Sequence, residues 1–219
     1  MTIRDWVVQK LPRDAGYDVE LDGDHGFVVA RGLRTKARVY CPDASDSEPF
    51  GPDDLEQAMD EMPGLQFVVA VKRRVANETY TLADEEGVAV GGLGALKSAL
   101  AEDFNVGRHK TSEQEYVQKR LDGHAQVTSW RRRGEMAYEI TRAGDRRSLT
   151  IVTIQPYEVT SDEVYELLAQ HDGLAVDAIV TTNPNGSGFA PSTLDAVGDA
   201  GTRIMRFRDF LDSLREPWE

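Results

Sequence analysis

The chain repeats itself. Residues 4–103 and 113–216 carry the same order of secondary-structure signals, and several residues recur at one spacing. Val8-Gln9-Lys10 returns as Val117-Gln118-Lys119, Asp53 as Asp162 and Gly64-Leu65 as Gly173-Leu174, all 109 positions later. Further along, the offset becomes 114, pairing Gly87 with Gly201, Val90 with Ile204, Leu93 with Phe207, Leu96 with Phe210 and Leu100 with Leu214. A repeat of this length divides the 219 residues into two domains of ordinary size, 1–106 and 112–219. A short linker, Asn105 to Thr111, joins them. Two like units in one chain predict packing about a pseudo-twofold axis, as in a homodimer fused by duplication.

Each copy reads as alternating helix and strand signals. In the first, Ile3, Val7 and Leu11 share a helical face. Tyr17–Leu21, Phe27–Ala30 and Ala37–Cys41 read as strands, and Pro42–Pro52 as a loop. Asp53 and Asp54 cap a helix running to Met62, the apolar run Leu65–Val71 reads as a strand covered on both faces, and Leu82–Glu86 reads as a short helix. Val88–Val90 (strand) and Leu93–Glu102 (helix) close the copy. The second repeats the order: helix 114–121, strands 125–131, 135–142 and 148–155, helix 161–170, strand 176–181, helix 192–199, strand 203–205 and helix 207–215. Three strands followed by a helix–strand–helix–strand–helix tail predict an α/β class with a mixed central sheet and helices on both faces.

That order resembles the Mrr-like branch of the restriction-endonuclease-like, or PD-(D/E)XK, nuclease superfamily. The resemblance is carried by Asp177 to Leu214: the buried strand ending Val180-Thr181-Thr182, then Phe189 and the small helix Ser192–Asp199, then Ile204 and the final helix from Phe207. It implies two tandem nuclease-like units. The family's chemistry uses an acid on one strand and Glu/Gln-x-Lys on the next, holding Mg²⁺ through carboxylates. At the matching place the second copy reads Thr153-Ile154-Gln155, with Glu139 on the preceding strand as the one candidate acid; the first reads Tyr40-Cys41-Pro42. The resemblance thus implies the family's fold without its catalytic centre. Pro52-Asp53 with Ala70-Val71-Lys72 mimics the motif, but Asp53 reads as a helix N-cap rather than a metal ligand.

Charge narrows the partners. The net charge is −13, with 38 acids against 25 bases, of which 19 are Arg and 6 Lys. Such a composition suits a salty cytoplasm or a GC-rich genome, and it opposes non-specific association with nucleic acid or anionic lipid. One basic island interrupts it: residues 119–147, net +4, containing Arg131, Arg132, Arg133, Arg142, Arg146, Arg147 and the aromatic Trp130. These are the candidate nucleic-acid contacts, arginines for phosphates and Trp130 for stacking a base. The competing reading is a solvated hairpin whose arginines pair with the protein's own acids.

Other signals are weak. Asp22, Asp24 and His25 in DGDHG read as a turn rather than a cation site, and His109, His124 and His171 lack partners at ligand spacing. Cys41, the one cysteine, reads as a core thiol, and the Asn183–Gly188 loop lacks a phosphate-binding pattern. No apolar run is long enough to span a membrane, the start lacks a signal peptide's apolar core, and a cytoplasmic protein is expected. Three functions stand open: a catalytically degenerate tandem nuclease-like module for binding or scaffolding in DNA repair, restriction or defence; a Mg²⁺-dependent endonuclease with a migrated site using Glu139; and a purely protein-binding acidic module. No cofactor is implied except the Mg²⁺ of the second.

Overall fold

The computed structural model of the protein describes residues 1–11, 16–32, 36–102, 105–186 and 188–218. It divides into two compact units, Met1–Thr111 and Ser112–Glu219.

The first unit runs α1 (Ile3–Lys10), β1 (Tyr17–Asp22), β2 (Gly26–Arg31), β3 (Ala37–Tyr40), β4 (Ser45–Phe50), α2 (Pro52–Glu61), β5 (Phe67–Val69), β6 (Arg73–Val75), α3 (Asn77–Glu86), β7 (Ala89–Gly91) and α4 (Leu93–Glu102). Its main sheet has the order β1-β2-β3-β5-β7. The first two pairings are antiparallel and the last two parallel. The second unit runs α5 (Ser112–Asp122), β8 (Val127–Arg132), β9 (Ala137–Arg142), β10 (Leu149–Ile154), α6 (Ser161–Gln170), β11 (Ala178–Thr181), α7 (Pro191–Asp199), β12 (Arg203–Arg206) and α8 (Phe207–Ser213). Its sheet order is β8-β9-β10-β11-β12, again two antiparallel pairings followed by two parallel ones.

The same topology is held by the same local bonds. The hydroxyl of Thr79, at the start of α3, donates to the Phe50 carbonyl at 2.9 Å, and that of Thr193, at the start of α7, donates to the Val159 carbonyl at 2.7 Å. Both threonines are fully buried, so each bond satisfies a carbonyl that water cannot reach. Gly64 and Gly173 take φ of 81° and 85°, left-handed values that stop the preceding helix and that a side chain rarely tolerates. The entry to the next helix repeats too. The Gly51 N–H donates to Asp54 at 2.8 Å, and the Thr160 N–H to Glu163 at 2.8 Å. These caps correct one expectation: Gly51 is the N-cap of α2 and Asp53 lies inside its first turn.

Each sheet is covered on both faces. In the first unit, Val7, Leu11, Phe27, Val29, Phe67 and Leu96 fill the side under α1 and α4, while Phe50, Leu55, Val68 and Tyr80 fill the side under α2 and α3. In the second, Val117, Leu121, Tyr138, Ile140, Ile151 and Phe210 lie under α5 and α8, and Val164, Ile179 and Val197 under α6 and α7. Burying each large side chain contributes roughly 1.5–3 kcal/mol. Burial also re-registers the first helix. Val7 and Leu11 are buried like Val117 and Leu121, an offset of 110, so the Val-Gln-Lys identity at 109 is one residue out of structural step.

Three further stretches differ from the sequence pattern. Within 42–52, residues Ser45–Phe50 form β4, paired in parallel with β6, because Arg73 ties it down through the Glu48 and Pro49 carbonyls (3.1 and 3.3 Å) and Asp54 (3.1 Å). Helix α3 starts at Asn77, five residues before the expected Leu82, its polar first turn carrying the buried Thr79 contact. The expected linker contains a 3-10 turn, Val106–Arg108, whose Val106 packs in the first core. Gly107 there is pressed so close to the Gly87 carbonyl that a Cβ would not fit.

Candidate nucleic-acid interface

The basic island folds into the β8–β9 hairpin and the turn after it. In an antiparallel pair, directly opposed residues share a face. Arg131 opposes Glu139, and its Nε and Nη2 donate to Glu139 Oε2 at 2.9 and 2.8 Å. Arg133 reaches the same oxygen at 3.5 Å. Trp130 and Arg132 point the other way. Trp130 donates its indole N–H to Asp122 at 2.7 Å and packs edge-on against Tyr138, with ring centroids 5.8 Å apart. Arg132 is buried and donates to the Gly134 and Glu135 carbonyls at 2.9–3.1 Å.

The remaining arginines sit at the far end of β9. Arg142 is buried and donates to the carbonyls of Arg147 (2.9 Å), Leu214 (3.2 Å) and Glu216 (2.8 Å), clamping the end of α8 to the sheet. Burial, with Arg147 and Arg146 nearby, lowers the Arg142 pKa from its ordinary value. Arg147 pairs with Asp177 at 2.6 Å and donates to the Trp218 carbonyl at 3.2 Å. Arg146 donates to the Ala143 carbonyl at 2.7 Å. Arg131 opposes Glu139 and Arg133 bonds Ala137, so at about 3.3 Å per residue Arg142 lies roughly 10 Å along β9 from the first and roughly 17 Å from the second.

The structure therefore brings together Arg131, Arg133 and Glu139 on one face, places Trp130 and Arg132 on the opposite face, and sets Arg142, Arg146 and Arg147 apart. Arg132 and Arg142 are structural ties. The acid Asp177, not singled out in the sequence, organises the far end, since it also accepts the Thr150 N–H at 2.7 Å. Its signal was its place at the entry to a buried strand, opposite the basic turn.

The positions that the nuclease resemblance picks out fall in the same register. The Thr153 N–H bonds the Met136 carbonyl as the Cys41 N–H bonds the His25 carbonyl, so the counterpart of Thr153-Ile154-Gln155 is Cys41-Pro42-Asp43, one residue beyond the sequence match. On β10, Leu149 and Ile151 face α5 and α8, and Thr153 follows with the same parity, 1% exposed. Glu139 opposes Thr150, on the other face. Glu139 and position 153 thus point to opposite sides of the sheet. Two arginines already occupy the Glu139 carboxylate. These residues do not fit Mg²⁺, which needs converging oxygen ligands. Among the described residues, no three His, Cys, Asp or Glu side chains converge as a metal site.

In the first unit, DGDHG is the β1–β2 turn, with Gly23 at φ 64° and Asp22 paired to Arg38 at 3.1 Å. Cys41 is 1% exposed, and burial pushes its thiol up to about 12. The thiolate is the reactive form. We expect native protein to resist a thiol reagent at neutral pH and to react fully once denaturant exposes Cys41; rapid native labelling would contradict this burial. Of the Asn183–Gly188 loop, Ser187 lies outside the described residues; Asn183 ties the rest to the Pro156 carbonyl at 3.4 Å. No helix of the described residues is long and apolar enough to cross a membrane. No family model, curated protein or solved structure matches the chain.

Proposed function

We propose that the protein is a non-enzymatic binding module made of two restriction-endonuclease-like units that arose by duplication and fusion. The observation that carries this reading is the opposed direction of Glu139 and Thr153 on neighbouring strands of the second unit. In that family, metal-dependent phosphodiester cleavage uses two carboxylates converging on one side of the strands and a lysine beside them. Here a threonine and a glutamine stand where acid and lysine would be, and the remaining acid is held by Arg131 and Arg133. The first unit supports the same reading with Cys41-Pro42-Asp43 and with Val28 at the counterpart of Glu139. The αβββαβαβα order of the second unit, which the first repeats with β4 and β6 added, supports the family assignment, and the net charge of −13 favours a protein partner over nucleic acid.

The test is a cleavage assay on duplex, single-stranded and branched DNA with Mg²⁺ or Mn²⁺. We expect no cutting above the protein-free control. Cutting that Glu139→Ala abolishes would replace this reading with the endonuclease. A binding arm runs alongside: each phosphate contact removed flattens the salt slope of log K by about 0.9 for duplex DNA. Tight wild-type binding near physiological salt that weakens and flattens in Arg131→Ala/Arg133→Ala would make DNA the partner.

A further inference from the structure

The two sheets end in edge strands of opposite charge. Among the described residues, β1 pairs only with β2, and β8 only with β9. Each leaves a row of backbone N–H and C=O groups along its outer edge, a template for another strand. Along β1, the period of two sets Asp18, Glu20 and Asp22 on one face and Tyr17, Val19 and Leu21 on the other. Glu20 opposes Val28, and Arg131 opposes Glu139, the counterpart of Val28. Asp22 opposes Gly26, and the Arg133 N–H bonds the carbonyl of Ala137, the counterpart of Gly26. Acids of the first unit therefore stand where the second has arginines.

Inner bases and acids offset only part of this charge. Among the described residues, Glu20 lies 3.9 Å from Lys36 and Asp22 3.1 Å from Arg38 while Asp18 has no ion pair, and Arg131 and Arg133 share the one acid Glu139. The edges also expose apolar surface on their other faces. Leu21 is 55% exposed and lines an open groove of ≈ 460 Å³ with Val8, Leu11, Tyr17 and Val19, while Trp130 on β8 is half-buried.

We propose that β1 of one copy of this chain pairs antiparallel with β8 of a second copy, continuing the sheet from one molecule into the next. Setting Glu20 opposite Arg131 also sets Asp18 opposite Arg133 on one face, and Leu21 opposite Trp130 on the other. Directly opposed strand residues interact most strongly, so opposite charges favour this register. Pairing of β1 with β1, or of β8 with β8, sets like charges together and is rejected. The proposal does not depend on whether the units cut nucleic acid.

Charge exchange tests it. One variant carries Asp18→Lys, Glu20→Lys and Lys36→Glu, making its β1 edge basic. A second carries Arg131→Glu, Arg133→Glu and Glu139→Arg, making its β8 edge acidic. Each keeps an ion pair within its own sheet, and circular dichroism checks that it is folded. By sedimentation velocity at micromolar concentration, wild type should self-associate, and more weakly as salt rises. Each variant alone should dissociate at least about tenfold more readily. An equimolar mixture should associate again, because each basic edge then meets an acidic one. Wild type that stays monomeric, association untouched by either variant, or folded variants that fail to associate on mixing would each overturn the proposal. Should a triple variant fail to fold, Glu20→Lys mixed with Arg131→Glu supplies the same comparison.

Discussion

Replacing Arg142 with Ala should unfold the second unit far more easily than any exposed arginine replacement. Arg142 is 3% exposed, and its guanidinium makes three hydrogen bonds to carbonyls, two of them beyond β12. A hydrogen bond to a charged group contributes about 1.5–3 kcal/mol, and truncation leaves the buried Leu214 carbonyl unsatisfied along with two partly buried ones. A positive charge also suits the negative end of a helix. We expect a loss of about 3–4 kcal/mol in urea unfolding. Arg142→Lys should recover little, since one ammonium cannot bridge carbonyls spread around a planar fork. The repeat supplies a control. Arg31, the counterpart of Arg142, makes a single bond of 3.3 Å to the Ala101 carbonyl at the end of α4 and is only partly buried. Arg31→Ala should therefore cost much less. Equal effects at both positions would refute the clamp.

The second large effect is pH-dependent. His171 closes α6, is 2% exposed, and burial lowers its pKa from 6.5 to about 4. Above pH 6.5 it is neutral in both folded and unfolded states, so this contribution is fully present. As pH falls from 6.5 towards 4, the unfolded chain takes up a proton that the folded one refuses, and stability declines. The loss amounts to roughly 3 kcal/mol at most. In the first unit the same position is Met62, buried and apolar. His171→Met should remove this part of the acid sensitivity. Denaturant unfolding of wild type and variant at pH 7.5 and 4.5 measures the difference; parallel curves would show that the His171 site admits the proton.

Both effects rest on features that the sequence revealed unevenly. Element order and repeat were legible because apolar periodicity reports the core directly: Val7 and Leu11, or Ile151 and Val180, are apolar for the same reason that they are buried. Register was less legible. Identities such as Val-Gln-Lys conserve letters, whereas burial conserves faces, and the two disagree by one residue in α1. Strand β4 was hidden because its residues Ser45–Pro49 are polar and loop-like; the tie is Arg73, more than twenty residues away. The basic island was legible as composition, but its division was not. Alternation sends Arg131 and Arg132 to opposite faces, and a run of arginines looks uniform until a strand imposes that period.

Glu139 remains the residue on which binding and cleavage readings part, and a Mn²⁺ titration followed by electron paramagnetic resonance addresses it directly. With its carboxylate paired to Arg131 and Arg133, and with Thr153 turned to the other face, we expect the free-ion signal to fall no further in wild type than in Glu139→Ala. Saturable loss of one Mn²⁺ signal per chain, absent in Glu139→Ala, would contradict a non-catalytic second unit.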